Sequence, residues 1–216
     1  MSRVKAVGVS GCCLLVVASS VFAQQPSGRI GPFVLDVRGT IPRFPTDALV
    51  AESRGLGVND LPGTGIGVAV GAHVYLLKWR AITFGIGGEF MTSRAHSSES
   101  IVNGQVYARA VTERLTSLAP QLSFNFGSAK GWSYLSGGIA RSTWSIVPDG
   151  LEPTPGDEEK LKTINYGGGA RWFAKKHLAF TFDVRFYAVN PGTPQLGFPG
   201  TPRTTLFVGA AGVAIR

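Results

Sequence analysis

The sequence predicts an all-β fold, an eight-stranded antiparallel up-and-down transmembrane barrel. Three observations point there. Apolar residues recur at every second position in one segment after another; tight turns and long polar loops alternate between those segments; and beyond the N-terminus no apolar run approaches the roughly 20 residues of a membrane-spanning helix, although 44% of the residues are hydrophobic. A helix would scatter these apolar sets around its circumference, whereas a period of two gathers them on one face.

The N-terminus reads as an export signal. Arg3 and Lys5 form a short basic region, Gly8 to Val21 is mostly apolar, and Val21-Phe22-Ala23 before Gln24 has the small-x-small character of a cleavage site. Residues 1–23 are therefore expected to be a secretory signal, 24–29 a short lead and 30–216 the barrel. A lipoprotein reading competes, because Val9-Ser10-Gly11-Cys12 loosely resembles a lipobox, but most of the apolar run follows Cys12. Both cysteines, Cys12 and Cys13, lie in this segment, so the exported chain is expected to hold itself together by packing and backbone pairing, without disulfides. Without Arg3 and Lys5 the balance is 19 basic to 13 acidic residues, or +6. An exported basic protein meets anionic lipid or lipopolysaccharide, and with no aromatic-basic motif or long basic run, nucleic acid is not expected as a partner.

The strands follow in order. Phe33, Leu35 and Val37 alternate with Val34, Asp36 and Arg38; Ile66, Val68, Val70, Ala72, Val74 and Leu76 with Gly67, Ala69, Gly71, His73 and Tyr75. Ile82, Phe84, Ile86, Gly88 and Phe90 alternate with Thr83, Gly85, Gly87 and Glu89; Leu118, Pro120, Leu122, Phe124 and Phe126 with Ser117, Ala119, Gln121, Ser123 and Asn125. Trp132 to Ile146 is strand-like but mixes polar and apolar residues on both parities. Thr163 to Phe173 sets Ile164, Tyr166, Ala170 and Trp172 against Asn165, Gly167, Gly169 and Arg171. His177 to Asn190 sets Leu178, Phe180, Phe182, Val184 and Phe186 against Ala179, Thr181, Asp183, Arg185 and Tyr187, and Thr204 to Ile215 is apolar on both parities. Each run is near the nine to eleven residues that a tilted membrane strand needs.

Trp79-Arg80, Gly127 to Gly131 and Ala174 to Lys176 read as tight turns. Thr40 to Gly63, Arg94 to Glu113, Val147 to Leu161 and Asn190 to Arg203 read as long loops, the first with a helical turn over Asp47 to Arg54 capped by Thr46. This alternation puts both termini on the short-turn side.

Which face looks inward decides between a membrane barrel and a soluble lipocalin-like binding barrel. One parity carries bulky aliphatics and phenylalanines. The other carries charges among small residues, which suits the narrow lumen of eight strands. Lysines are absent from the strand centres and stand at strand ends, as at Lys78, Lys130, Lys175 and Lys176, where an interface would welcome them. Trp132, Tyr134, Trp144, Tyr166 and Trp172 are expected as an aromatic girdle. On this reading the interior holds a polar network of Asp36, Arg38, His73, Glu89, Gln121, Asn125, Asn165, Arg171, Asp183 and Arg185, with Arg141 as a further base. Its three acids and three principal bases nearly balance, as a closed interior requires.

With these features the chain resembles the small eight-stranded outer-membrane proteins of the OmpA transmembrane-domain and OmpX type, over Gly28 to Arg216. The resemblance rests on architecture, signal and strand patterning, not on a sharp motif. It implies a Gram-negative outer membrane reached through the general secretory pathway, with short periplasmic turns, long extracellular loops, and barrel-assembly machinery and periplasmic chaperones as partners during biogenesis. Many such barrels end in an aromatic residue; this sequence ends Val213-Ala214-Ile215-Arg216, where Val213 and Ile215 keep the alternation.

Other constellations have simpler readings. His96-Ser97-Ser98-Glu99 holds the residue types of a lipid A hydrolase, but the strand's parity turns His96 and Ser98 outward and the stretch is polar loop sequence. Asp149, Glu152, Asp157, Glu158 and Glu159 lack the oxygen spacing of a calcium loop. The 29 glycines, about twice the usual share, form no nucleotide fingerprint because no helix follows them, and serve instead to bend strands and keep the lumen from overfilling. The expectation is a monomeric, non-enzymatic structural or surface-exposed protein without cofactor or metal. A small porin is the transport alternative, although eight strands leave little bore.

Overall fold

The computed structural model describes residues 28–152, 157–195 and 197–216, so the proposed signal with Cys12 and Cys13 lies outside the described residues. Eight long strands close into an antiparallel barrel: β1 (Phe33–Arg43), β2 (Gly65–Trp79), β3 (Ile82–Ser97), β6 (Val111–Ser128), β7 (Gly131–Pro148), β8 (Glu158–Phe173), β9 (Leu178–Val189) and β10 (Thr204–Ile215). A separate hairpin, β4 (Ser100–Val102) and β5 (Gln105–Ala108), stands in the loop between β3 and β6. Closure comes from β1 against β10, from Leu35 opposite Ile215 to Arg43 opposite Phe207, which leaves no barrel edge unpaired.

The tight connections lie at one end, with both ends of the barrel sheet. Arg80 takes a left-handed φ of 51° in the two-residue link from Trp79 to Ile82. Near that end a bulge between Tyr75 and Leu77 passes both Leu76 and Leu77 to the outside, where simple alternation would have turned one of them in. At the other end several strands run well past their expected limits: β3 reaches Ser97, β6 begins at Val111 and β8 at Glu158, within segments read from sequence as loops.

The apolar parity faces outward. Phe180 and Phe182 are 56% and 54% exposed while Asp183 and Arg185, which follow on the other parity, are 3% and 2% exposed, so the wall turns its phenylalanines out and its charges in. β7, ambiguous by pattern, turns Leu135 and Ile139 outward and Tyr134, Ser136, Ala140 and Ser142 inward.

The interior is filled in three layers. At the short-turn end Ile30, Val34, Tyr75, Trp132, Tyr134, Ala179 and Ala214 pack together. The middle layer is polar. At the long-loop end an apolar cluster includes Met91, Leu115, Trp144, Ile146, Leu161 and Leu206, and the loop after β1 dips into it with Val50, Ala51 and Leu61. That loop carries α1 (Ala48–Glu52), capped by Asp47, whose carboxylate accepts from the Leu49 and Val50 backbone N–H groups. The cap is thus Asp47 and not Thr46: its carboxylate can reach the second and third free N–H groups of the turn. Gly55, at φ +63°, turns the chain out of the helix, and the Phe198 ring leaves no room for a side chain there.

Candidate functional site

The middle layer brings the inward charges into one cluster. β1 carries Asp36 and Arg38 two residues apart, hence on one face, and the Arg38 Nε is 2.7 Å from Asp36 Oδ1. The same guanidinium pairs with Glu89 of β3 and, at 3.2 Å, with Asp183 of β9. Arg185 closes the ring with its Nε 2.9 Å from both Glu89 and Asp183, and Arg171 of β8 donates to the other Asp36 oxygen at 2.7 Å. Three carboxylates and three guanidiniums, all at most 3% exposed, cancel in charge.

Neutral donors complete the cluster. Asn165 Nδ2 donates to Glu89 at 2.9 Å and the Tyr187 hydroxyl donates to the same oxygen at 2.8 Å. The Tyr134 hydroxyl donates to Asp183 at 2.5 Å, and the Arg171 guanidinium lies over the Tyr134 ring at 4.1 Å. Arg185 also donates to Asn165 and Ser136, and Gln121 donates to Asn165. A buried charge is tolerable when it is both paired and hydrogen-bonded, and this cluster meets both conditions.

Glycine makes the space. A side chain at Gly71 would start 2.9 Å from an Asp36 carboxylate oxygen, and one at Gly167 would start 2.9 Å from Arg185 Cγ. His73 lies inside the wall over Gly87, within electrostatic reach of Asp36, Arg171 and Arg185, while Asn125 donates to the Thr83 carbonyl and to Ser123 closer to the short-turn end, outside the ion pairs.

Arg141 is a correction: it is exposed on the outer wall of β7, on the parity opposite to Ala140 and Ser142. The aromatic girdle is corrected in part. Tyr166 and Trp172 face outward, but Trp132, Tyr134 and Trp144 are buried inside. Tyr134 and Tyr187 were absent from the expected network. Parity held the signal for Tyr187, which follows Asp183 and Arg185 at successive inward positions, while Tyr134 was hidden by the mixed pattern of β7.

The remaining candidates are dispersed. His96 is exposed, its Nδ1 3.6 Å from Asp149 and 3.4 Å from the Thr112 hydroxyl, Ser97 donates to the Asp60 carbonyl at 2.6 Å, and no hydrogen bond joins His96 to Ser98 among the described residues. Glu159 points into the mouth, where Arg54 pairs with it at 3.3 Å and donates to Thr201. Asp149 and Glu158 stay on the rim, and no group of metal-ligating side chains occurs among the described residues.

No protein-family model and no curated protein matches the chain. Among solved structures it is similar to the attachment invasion locus protein Ail of Yersinia pestis, with a TM-score of 0.54 and 10% identity over 86% of this chain and 98% of that one. It is also similar to Neisserial surface protein A, with a TM-score of 0.53 and 11% identity over 86% and 97%. The chain has the fold of the small eight-stranded outer-membrane barrels. In outer-membrane barrels of this fold the short turns lie on the periplasmic side and the long loops outside.

Proposed function

We propose that this protein is a closed, monomeric outer-membrane barrel with a non-enzymatic structural or surface-exposed role, exported through the general secretory pathway and inserted by the barrel-assembly machinery after escort by periplasmic chaperones. Its standing partners are outer-membrane lipid and lipopolysaccharide. One observation carries the reading: the lumen is filled along its length by an aromatic layer, a charge-neutral plug and an apolar mouth latched by Arg54, Glu159 and Thr201. A filled lumen gives the barrel an anchor's role and leaves no path for solutes. The two neighbours named as an attachment protein and a surface protein are consistent with display of the outer loops.

The test is transport. Proteoliposomes carrying the purified chain should show no swelling with sugars and planar bilayers no stepwise conductance; steady single-channel currents would make it a small porin. Cell fractionation with heat-modifiable gel mobility should place it in the outer membrane, and recovery as a soluble periplasmic monomer would revive the binding-barrel alternative.

A further inference from the structure

The outer wall changes chemistry along four neighbouring strands, β3, β6, β7 and β8. Above the apolar band stand Arg94, Arg114, Arg141, Lys160 and Lys162, all exposed. In the register Arg94 lies directly opposite Arg114, and Arg141 directly opposite Lys162. Like charges facing one another across a strand pair destabilise a sheet, so two such pairs call for a counter-charge. The protein does not supply it: none of the five forms an ion pair with a carboxylate among the described residues, Asp149 is turned to His96 and Thr112, and Glu158 is the lone acid on an outward strand position beside them. The cations are also concentrated on one side. Across the barrel, the loop-side outer wall of β9, β10, β1 and β2 carries Arg43, with exposed Arg203 just before β10, and Ile66 stands directly beside Arg94. A general electrostatic belt would run all the way round; this one is a patch.

Below the patch and extending onto β9, the wall of β6 to β9 holds an apolar furrow of about 670 Å³, lined by Phe124, Leu135, Tyr166, Gly168, Val184 and Phe186. Gly168 lets the Leu135 side chain and the Tyr134 carbonyl come close to the floor; a Cβ there would meet them at 2.8 and 2.6 Å. Lys162 precedes Tyr166 by four residues on the same face of β8, about 13 Å along the strand. Cations above and a furrow below fit one kind of molecule, an amphiphile with an anionic headgroup and acyl chains.

We infer that the outer wall of β3, β6, β7 and β8 binds a phosphorylated glycolipid of the outer leaflet, with its phosphates at the two cation pairs and an acyl chain in the furrow. Phosphate suits the site because arginine forks bind its oxygens in pairs, and a headgroup with two phosphates would neutralise both cation pairs at once. The inference rests on the outer-membrane location and glycolipid partner proposed above and deepens them by assigning that partner a particular wall and the side chains that hold its phosphates.

The test uses the purified full-length barrel in detergent, with bound lipid read by native mass spectrometry. Diphosphoryl lipid A should be retained over its dephosphorylated form by on the order of several hundredfold, and R94Q/R114Q/R141Q/K162Q should lose that preference at about fivefold per cation. K130Q/K175Q/K176Q, which removes charge at the opposite rim, should keep it. Equal retention of the dephosphorylated lipid would overturn the site, as would equal loss in the opposite-rim variant; full displacement by millimolar inorganic phosphate would show a free-anion site and overturn the lipid assignment. Heat-modifiable gel mobility of each variant reports folding separately, and R141Q/K162Q serves if the fourfold variant does not fold. A folded barrel without phosphate preference would sink this inference and leave the closed-barrel reading standing, whereas channel currents would do the reverse.

Discussion

The middle of β6 and its outer end have the same alternation and opposite chemistry. Between Leu118 and Phe126 the outward residues are apolar and the inward ones are Ala119, Gln121, Ser123 and Asn125. Between Val111 and Thr116 the outward residues are Thr112, Arg114 and Thr116, and the inward ones are Val111, Glu113 and Leu115. Its neighbours invert at the same height: β3 passes from outward Phe90 to outward Arg94, and β8 from Tyr166 and Ile164 to Lys162 and Lys160. None of these three strands changes which parity faces in. What changes is the solvent outside, hydrocarbon below and water above, so one wall is polar-inside in the membrane and apolar-inside beyond it. The lower region is held by charge pairing and the upper one by burial.

The comparison breaks most severely at the centre of the lower region. Arg38 touches all three acids, so Arg38→Met should leave buried carboxylates short of counter-charge and cost about 3–5 kcal/mol, measured by urea titration of the barrel refolded in lipid. Adding Glu89→Gln should recover part of that loss by removing one of the stranded charges. If Arg38→Met costs under about 1 kcal/mol, the cluster is wet and the plug is not closed.

The outer wall gives the next largest effect, because the cost of one substitution should depend on height. Phe182→Arg, at the middle of β9, should impair the inserted state by about 2–4 kcal/mol, whereas Thr116→Arg, at the edge of the water-facing zone, should cost at most about 1 kcal/mol. Equal costs would erase the boundary between the two regions. A harmless Phe182→Arg together with improved insertion of Asp183→Leu would invert the wall.

The upper region has one charge problem of its own. Glu113 is fully buried, level with the outward Arg94 and Arg114 and therefore beyond the apolar band; it accepts from Trp144 Nε1 at 2.7 Å, and its other oxygen has no hydrogen-bond partner among the described residues. Burial among apolar side chains pushes its carboxyl up to about 8, against the opposing effects of the Trp144 hydrogen bond and the Arg54 charge. A folded value above the ordinary 4.5 means that the folded state holds the proton more tightly. Its stabilising contribution is then complete below about pH 4.5 and is lost as pH rises through about 8. The mouth should therefore loosen between neutral pH and pH 9, read as faster amide exchange in α1 and at Trp144, while the charged plug below stays protected. Glu113→Gln should flatten that pH dependence; an unchanged slope would mean that Glu113 is ionised and solvated.

Much of the lower region was legible because hydrocarbon outside and a narrow lumen inside impose opposite demands on adjacent residues, and a period of two displays both. That pattern carried the strand set, the places of the tight turns and the inward positions of Asp36, Glu89 and Asp183. It failed where a strand leaves the membrane: Glu113 and Lys160 read as loop because polar residues outside and apolar ones inside look like irregular sequence when the lipid rule is applied. It failed for Arg141 because β7 carries the aromatics of both end layers on its inward parity, which blurred the facing. The latch of Arg54, Glu159 and Thr201 was not legible at all, since it joins three segments far apart in the chain and no local spacing records it.

The smallest effect should come from α1, and it distinguishes a seated helix from a tethered one. α1 has only five residues, too few to hold helical structure alone, so it persists through two supports: the Asp47 carboxylate on the Leu49 and Val50 N–H groups, and Val50 with Ala51 in the apolar mouth. Asp47→Ala removes the first and leaves the second, and losing such a cap costs about 1 kcal/mol. If the mouth is a packed core, that loss stays local: amide exchange quickens over 48–52 while the urea midpoint of the barrel is unchanged. If α1 is held by its cap alone, Asp47→Ala instead frees the whole loop, exposing Arg54 to protease on intact cells. The first outcome shows the upper region cohering by burial as a soluble core does; the second would leave the charged plug as the main structure closing the lumen.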